Sequence, residues 1–256
     1  PHVYPSQLVN LEIPLPPLPE QHKIVEILED HLSRLDAALA DVKQAKVKAA
    51  QFRRSLLQAA FTGNLGSDGT RLMTSEKLIP FGKTFDILSN SGKSLKQKDY
   101  LTEGAYRVID QGEKFIGGFT NRGDLVLDFG TPIIVFGDHT RNIKLVDGPF
   151  VPGADGTKLL RPKSEMNFKF AFYQLNSKEL RNRGYARHFS ELKKEFFWIP
   201  PLPEQHKIVE ILEDHLSRLD ASIALADAME KQSAGLRRSL LQAAFTGQLT
   251  KEVTSV

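Results

Sequence analysis

The chain has 256 residues, 41% of them hydrophobic and 25% charged, with no cysteine and a net charge of +3. That length accommodates one or two domains with buried cores. The lack of cysteine excludes disulfides, zinc ribbons and cysteine nucleophiles and suits a cytoplasmic protein, and no apolar run is long enough for a membrane-spanning helix. With Lys and Arg nearly balanced by Asp and Glu, any basic surface has to be local.

In chain order, residues 1–16 are expected to be the tail of a preceding globular segment. Ser6, Leu8 and Pro16 recur as Ser190, Leu192 and Pro200, and Pro1 in place of Met is read as a fragment edge. Residues 17–65 read as one long helix. Pro16, Pro17 and Pro19 punctuate its start, and Gly63 is expected to cap its end in the left-handed conformation. Leu28, Leu35, Val42, Ala49 and Leu56 recur every seven residues, and Ile24, His31, Ala38, Ala45, Phe52 and Ala59 are taken as the second line of the same seam. Residues 66–200 read as a mixed α/β segment, with strands expected at 106–110, 125–129, 132–136, 143–146 and 157–161 and a helix at 168–180. Residues 201–250 read as a second long helix, with Ile208, Leu212, His215, Leu219, Met229, Leu236 and Leu240 on its seam, and residues 251–256 as a flexible tail.

The two helices are copies. The segment 17–37 recurs unchanged at 201–221 and the segment 53–63 at 237–247, both at an offset of 184, while the stretch between them has changed in sequence but not in length. Constant length with drifting sequence is the behaviour of a spacer. Neither helix buries its stripe alone, so an antiparallel coiled-coil pair is expected, with Leu28, Leu35, Val42, Phe52 and Leu56 facing Leu212, Leu219, Met229, Leu236 and Leu240. Outer positions such as Glu20, Lys23, Glu26, Glu29 and Arg34 are repeated too. Either two identical partner sites or recent duplication accounts for that.

Enzyme motifs fail on inspection. Gly82-Lys83-Thr84 and Gly92-Lys93-Ser94 lack the glycine five residues earlier, where Lys77 and Ile87 stand, so neither is a phosphate-binding loop. No dinucleotide fingerprint and no amino-methyltransferase motif is present. Asp138-His139 lacks a partner ligand at helical spacing, so no metal is expected.

The phrase IPPLPEQHKIVEILEDHLSRLDA at 199–221, followed by LRRSLLQAAFTGQL at 236–249, resembles the conserved regions of Type I restriction–modification specificity subunits. The segment between, with SGKS at 91–94, RVIDQGEKFIGGFT at 107–120, PIIVFGDHTR at 132–141 and GYARHFSELK at 184–193, looks like one target-recognition domain of that family. The resemblance implies a non-catalytic subunit. Each recognition domain would read one half of a bipartite double-stranded DNA target, and the helices would space two such domains and dock DNA methyltransferase subunits and, through them, a restriction subunit. No cofactor is implied for this chain, because S-adenosylmethionine belongs to the methyltransferase. Full members carry two recognition domains and this chain carries one, so either the chain is a fragment or two copies associate as a homodimer that restores the second. The fold class is therefore an α/β (α+β) DNA-recognition domain plus an antiparallel pair of long helices. A helical-hairpin scaffold whose globular insert binds another protein is the alternative.

The polar run Asp138, His139, Thr140, Arg141 after an apolar strand offers the donors and acceptors that base edges demand, or else is a solvated hairpin turn. Arg183, Tyr185, Arg187, His188 and Ser190 form a basic stretch with an interleaved aromatic, suited to phosphates or simply to solvent. Gln111 and Lys114 lie past a strand end, and Lys93 and Lys96 in a Ser/Gly-rich loop, where phosphate contact is the expected role.

Overall fold

A computed structural model describes residues 14–62, 78–163, 166–180 and 187–250. The Gly63 cap, the tail 251–256 and most of the expected preceding tail lie outside the described residues. The chain divides into two compact units, Arg53–Leu216 and the remainder, Pro1–Phe52 with Ser217–Val256. The division falls inside both long helices, α1 (Leu18–Thr62) and α5 (Leu202–Phe245), and not at the ends of the globular segment.

The globular unit is built on a four-stranded antiparallel sheet of order β2 (Phe85–Leu88), β8 (Thr157–Pro162), β5 (Ile133–Gly137), β6 (Ile143–Val146). Strand β5 is a continuous apolar run buried along its whole length, as a strand covered on both faces should be. Ile134 and Phe136 join one core with Leu160, Phe170, Leu175, Phe197 and Trp198. Ile133 and Val135 point the other way, into a second core with Ile109, Leu127, Val146, Phe150 and Leu159. The first core is closed by helix α3 (Phe168–Asn176), by Leu56, Leu57, Ala60 and Phe61 from the end of α1, and by Ile208, Val209, Leu212 and Leu216 from the start of α5. Beyond the second core lies a three-stranded sheet in which β3 (Tyr106–Ile109) pairs antiparallel with β4 (Gly118–Thr120) and parallel with β7 (Val151–Pro152). A short ladder joins β1 (Ile79–Pro80) to β9 (Phe196–Phe197). The helical turn α2 (Phe81–Thr84) follows β1, and the turn α4 (Phe189–Leu192) precedes β9.

The expected strand at 125–129 is absent. A 3-10 turn at Gly123–Leu125 occupies its start, and only Leu127 bridges, to Phe150. Helix α3 ends at Asn176, short of the expected residue 180. Its start is capped by Asn167, whose side chain accepts from the Lys169 and Phe170 amides. At its end the Ser177 hydroxyl donates to the Gln174 carbonyl and closes the last turn.

In the helical unit, Lys46 Nζ lies 2.6 Å from Asp227 Oδ1 and 3.1 Å from Glu230 Oε2. Arg237 meets Asp36, and the Thr250 hydroxyl donates to Glu20 at 3.1 Å. As one residue number rises its partner's falls, which is antiparallel order. Partial or full burial along α1 falls on Leu28, Leu32, Leu35, Leu39, Val42, Lys46, Ala49, Arg53, Leu56 and Ala60, an alternation of four and three. On α5 it falls on the same positions of the repeat, from Leu212, Leu216, Leu219 and Ile223 to Arg237, Leu240 and Ala244. Between residues 31 and 53 the second line of the stripe is therefore one position on from the one expected, while Ile24 and Ala59 of the expected line are partly buried. Phe52, Met229 and Leu236 are 51%, 47% and 51% exposed and do not lie on it, and His31, Ala38 and Ala45 are exposed as well. Among the described residues no helix is long and apolar enough to cross a membrane.

Candidate nucleic-acid interface

The run 137–142 is the hairpin turn between β5 and β6. Gly137 N–H donates to the Asn142 carbonyl and Arg141 N–H to the Gly137 carbonyl, both at 2.8 Å. Arg141 takes the left-handed conformation there, with φ of 64°, where a non-glycine residue is uncommon. Its guanidinium donates to the Leu180 carbonyl at 3.1 Å.

Gln111, in the loop after β3, binds this turn to its neighbour. Its Oε1 accepts from the His139 amide at 3.1 Å, and its carbonyl accepts from the Thr140 hydroxyl at 2.5 Å and from Asn142 Nδ2 at 3.0 Å. Gly156, with φ of +66°, lies so close that a Cβ there would stand 2.7 Å from Gln111 Oε1 and 2.8 Å from the His139 ring. Only glycine leaves room for the junction.

Asp138 and His188, both expected at the interface, face inward. They are 3% and 0% exposed. Asp138 Oδ1 accepts from the Phe189 amide at 2.8 Å, and its carbonyl accepts from the His188 amide at 2.8 Å and from His188 Nδ1 at 3.0 Å. These bonds fasten the turn to the start of α4. Base edges are therefore out of their reach, and their part is to hold the loops. Arg187 and Ser190 are exposed beside this junction, while Arg183 and Tyr185 lie outside the described residues. The structure thus brings Gln111, His139, Thr140, Arg141, Arg187 and Ser190 around one junction. Lys93 instead donates to the Val126 carbonyl at 3.1 Å, and Lys96 is exposed before a 3-10 turn at Gln97–Asp99.

Sequence reasoning missed the foundation of this surface. Lys144 is 5% exposed; its Nζ lies 2.5 Å from the Lys114 carbonyl and 3.5 Å from Asp110 Oδ1. Burial pulls its pKa down, against the pull of Asp110. A buried ammonium thus holds from beneath the loop that carries Gln111 and Lys114. The signal was present in strand alternation: Lys144 shares a face with Val146, which is in the core.

Burial, reinforced by Asp110, pushes the Tyr100 phenol far above its ordinary value. The folded chain keeps a proton that the unfolded chain releases near pH 10, so stability present below about pH 10 drains away as pH rises past it. Lys144, with its lowered pKa, acts in the opposite sense but in a lower window, which ends at the unfolded lysine value of 10.5. Tyr100→Phe isolates the phenol: urea midpoints measured at about pH 9 and pH 11 should fall more for the parent chain than for the variant.

A second surface lies in the helical unit, where Leu15, Pro16, Gln21, Ile24, Val25, Leu28, Ala244 and Phe245 line an apolar groove of about 770 Å³. Ile24, Val25, Leu28, Leu32, Leu240, Leu241, Ala244 and Phe245 are the repeat equivalents of Ile208, Val209, Leu212, Leu216, Leu56, Leu57, Ala60 and Phe61, identical residue for residue. The latter set closes the core of the globular unit. The polar cap is copied as well: Gln205 Nε2 donates to the Pro200 carbonyl at 2.7 Å and Gln21 Nε2 to the Pro16 carbonyl at 2.6 Å. In the globular unit Gln205 Oε1 also accepts from the Asn167 amide at 2.7 Å. The groove therefore repeats much of the seat on which the globular unit is built, with Val25 and Phe245 exposed in it.

The sequence matches the family described as Type I restriction modification DNA specificity domain over residues 1–47 and 82–226. It is 24% identical to the Type I restriction enzyme EcoBI specificity subunit of Escherichia coli, covering 98% of this chain and 61% of that protein. It is likewise 24% identical to the StySPI specificity subunit of Salmonella potsdam, covering 98% and 60%. Its fold is similar to a chain solved in work on complex assembly and conformational transition of the type I R-M system, with a TM-score of 0.73 and 21% identity over 97% of this chain and 64% of that one. The chain thus spans about three fifths of the length of these curated relatives. On the match across the larger part of both helices and the globular segment, the chain belongs to the Type I restriction–modification DNA specificity domain family.

Proposed function

We propose that this chain is a non-catalytic DNA-recognition component of a Type I restriction–modification assembly. Its globular unit reads one half of a bipartite target. Its helices pair as a coiled coil, set the distance to a second recognition domain and dock methyltransferase subunits, through which a restriction subunit is recruited. Family membership supports DNA as the ligand. The observation that carries the bipartite reading is the duplicated seat: identical residues that close one globular unit stand open in a groove elsewhere on the helices.

The duplicated seat also bears on the second domain's source. The face of the globular unit that fits such a seat is already filled by its own Phe61, Ile208 and Leu212. A second copy of the chain would have to leave its own seat to occupy the groove. A recognition domain preceding residue 17 would fill it without that exchange, which makes it a better occupant than the homodimer expected from sequence.

Salt-dependent DNA binding by the chain, with and without methyltransferase subunits, tests this reading. Absence of DNA binding in both, with a protein ligand captured by the globular unit, would favour the helical-hairpin scaffold. Within the reading, Arg187→Ala should weaken binding to all sequences alike and reduce the salt slope by about one unit if Arg187 meets one phosphate. Arg141→Ala should cost about 1–3 kcal/mol on the cognate site and relax preference at one base pair if Arg141 contacts a base. Equal loss on cognate and random DNA would mean that Arg141 acts only by tying the hairpin to Leu180.

A further inference from the structure

The midpoint of the helical unit distinguishes one helix from the other. Residues 46 and 230 are the same position of the repeat, and they face each other, with Lys46 Nζ 3.1 Å from Glu230 Oε2. A repeat position that meets its own equivalent lies on the local twofold axis of the pair. Lys46 also contacts Asp227, whose repeat equivalent is Lys43. At the axis, then, α1 is basic at 43 and 46, and α5 is acidic at 227 and 230.

Near the centre the stripe otherwise differs only in apolar or small residues, Leu39, Val42 and Ala49 against Ile223, Ala226 and Ser233, and towards its ends it cannot tell the helices apart. The stripe carries Leu28 and Leu212, Leu35 and Leu219, Leu56 and Leu240 at matching positions. The flanking Asp36–Arg237 pair is no better, because Asp36 recurs as Asp220 and Arg237 as Arg53. Two α1 helices from different copies could form every one of these contacts. What they could not form is the centre, where Lys46 would meet Lys43 and Lys46 of the other copy.

The geometry points to Lys46, Asp227 and Glu230 as the determinant that pairs α1 with α5 and rejects α1 with α1 or α5 with α5 between copies. Lys46 and Glu230 are each about one-third exposed and Asp227 more so, and ion pairs of that exposure contribute little stability. Their effect lies in the choice of partner, as with polar residues and charges that specify coiled-coil pairing.

The chain has no cysteine, so Ala45→Cys, beside the axis, reports directly on like-with-like pairing. Only two α1 helices from different copies bring two such thiols together, within reach of a short bismaleimide. The reporter is placed in the parent chain, in a neutral variant (K43A/K46L/D227A/E230L) and in a charge-exchanged variant (K43D/K46E/D227K/E230K). Each is refolded at about 1 mM, where another copy competes with the intramolecular tether, and checked for helix content by circular dichroism. The neutral variant should keep its helices and cross-link several-fold more than the parent, and the exchanged variant should behave like the parent. The inference is overturned if the neutral variant cross-links no more than the parent, or if the exchanged variant cross-links as the neutral one does. Loss of helix content in the neutral variant would also overturn it, because the charges would then be needed for pairing itself. None of these outcomes depends on DNA binding.

Discussion

Phe61→Ala should destabilise the chain by about 3–5 kcal/mol, the cost of removing a large ring from a packed core, whereas Phe245→Ala should change stability by less than about 0.5 kcal/mol, as exposed positions do. The two residues are the same position of the repeat, each followed by Thr-Gly. Phe61 is 9% exposed and meets Phe170 edge-on at 5.2 Å, while Phe245 is 60% exposed. Urea unfolding followed by circular dichroism measures both. The contrast is informative because local sequence is matched, so helix propensity cancels and only the surroundings differ. Near-equal losses would mean that the groove holding Phe245 is already filled in the isolated chain. A preceding recognition domain supplied on a longer chain should remove the contrast, since Phe245 would then be as buried as Phe61.

Lys144→Met should cost about 3 kcal/mol, at the low end of what is lost when one partner of a buried ion pair is removed. The low end applies because Asp110 keeps other donors: the Gly112 amide at 2.9 Å and the Tyr100 hydroxyl. The same change removes the bond to the Lys114 carbonyl, so the loop carrying Gln111 loses its support as well. Adding Asp110→Asn removes the stranded charge, and the double variant should be less destabilised than the sum of the two single ones. Additive losses would show that the pair is not coupled and that Lys144 acts through the Lys114 carbonyl alone. Because Gln111 organises the hairpin at 137–142, the double variant should recover stability more fully than it recovers any discrimination between DNA sequences.

The identity of the repeated blocks takes on a physical meaning in these terms. In sequence, outer positions shared by both copies read as two docking sites for one external partner. The structure gives part of that identity another cause. One globular unit is seated by the end of one copy and the start of the other, so two equal seats require both ends to be kept in both copies. Outward positions such as Glu26 and Arg34, exposed in the structure, are not explained by the seat and remain the surface for methyltransferase docking in the proposed function.

The sequence by itself determined the starts of both long helices, their common offset, the strands at 106–109, 133–137, 143–146 and 157–162 to within a residue or two, and the family. These are features with local causes: proline at a helix start, a seven-residue spacing, a β-branched run ended by glycine. Tertiary structure decided the rest. Two adjacent lines of α1 have the same seven-residue period, and only the opposing helix selects Leu32, Leu39 and Lys46 over His31, Ala38 and Ala45. Strands of two or three residues such as β1, β7 and β9 have too little sequence to show a period, and exist because a distant partner completes their hydrogen bonds. Asp138 and His188 looked like a polar surface because composition cannot show which way a side chain points. They are buried because residues 50 positions apart in the chain satisfy each other, which lets polar groups leave water at little cost.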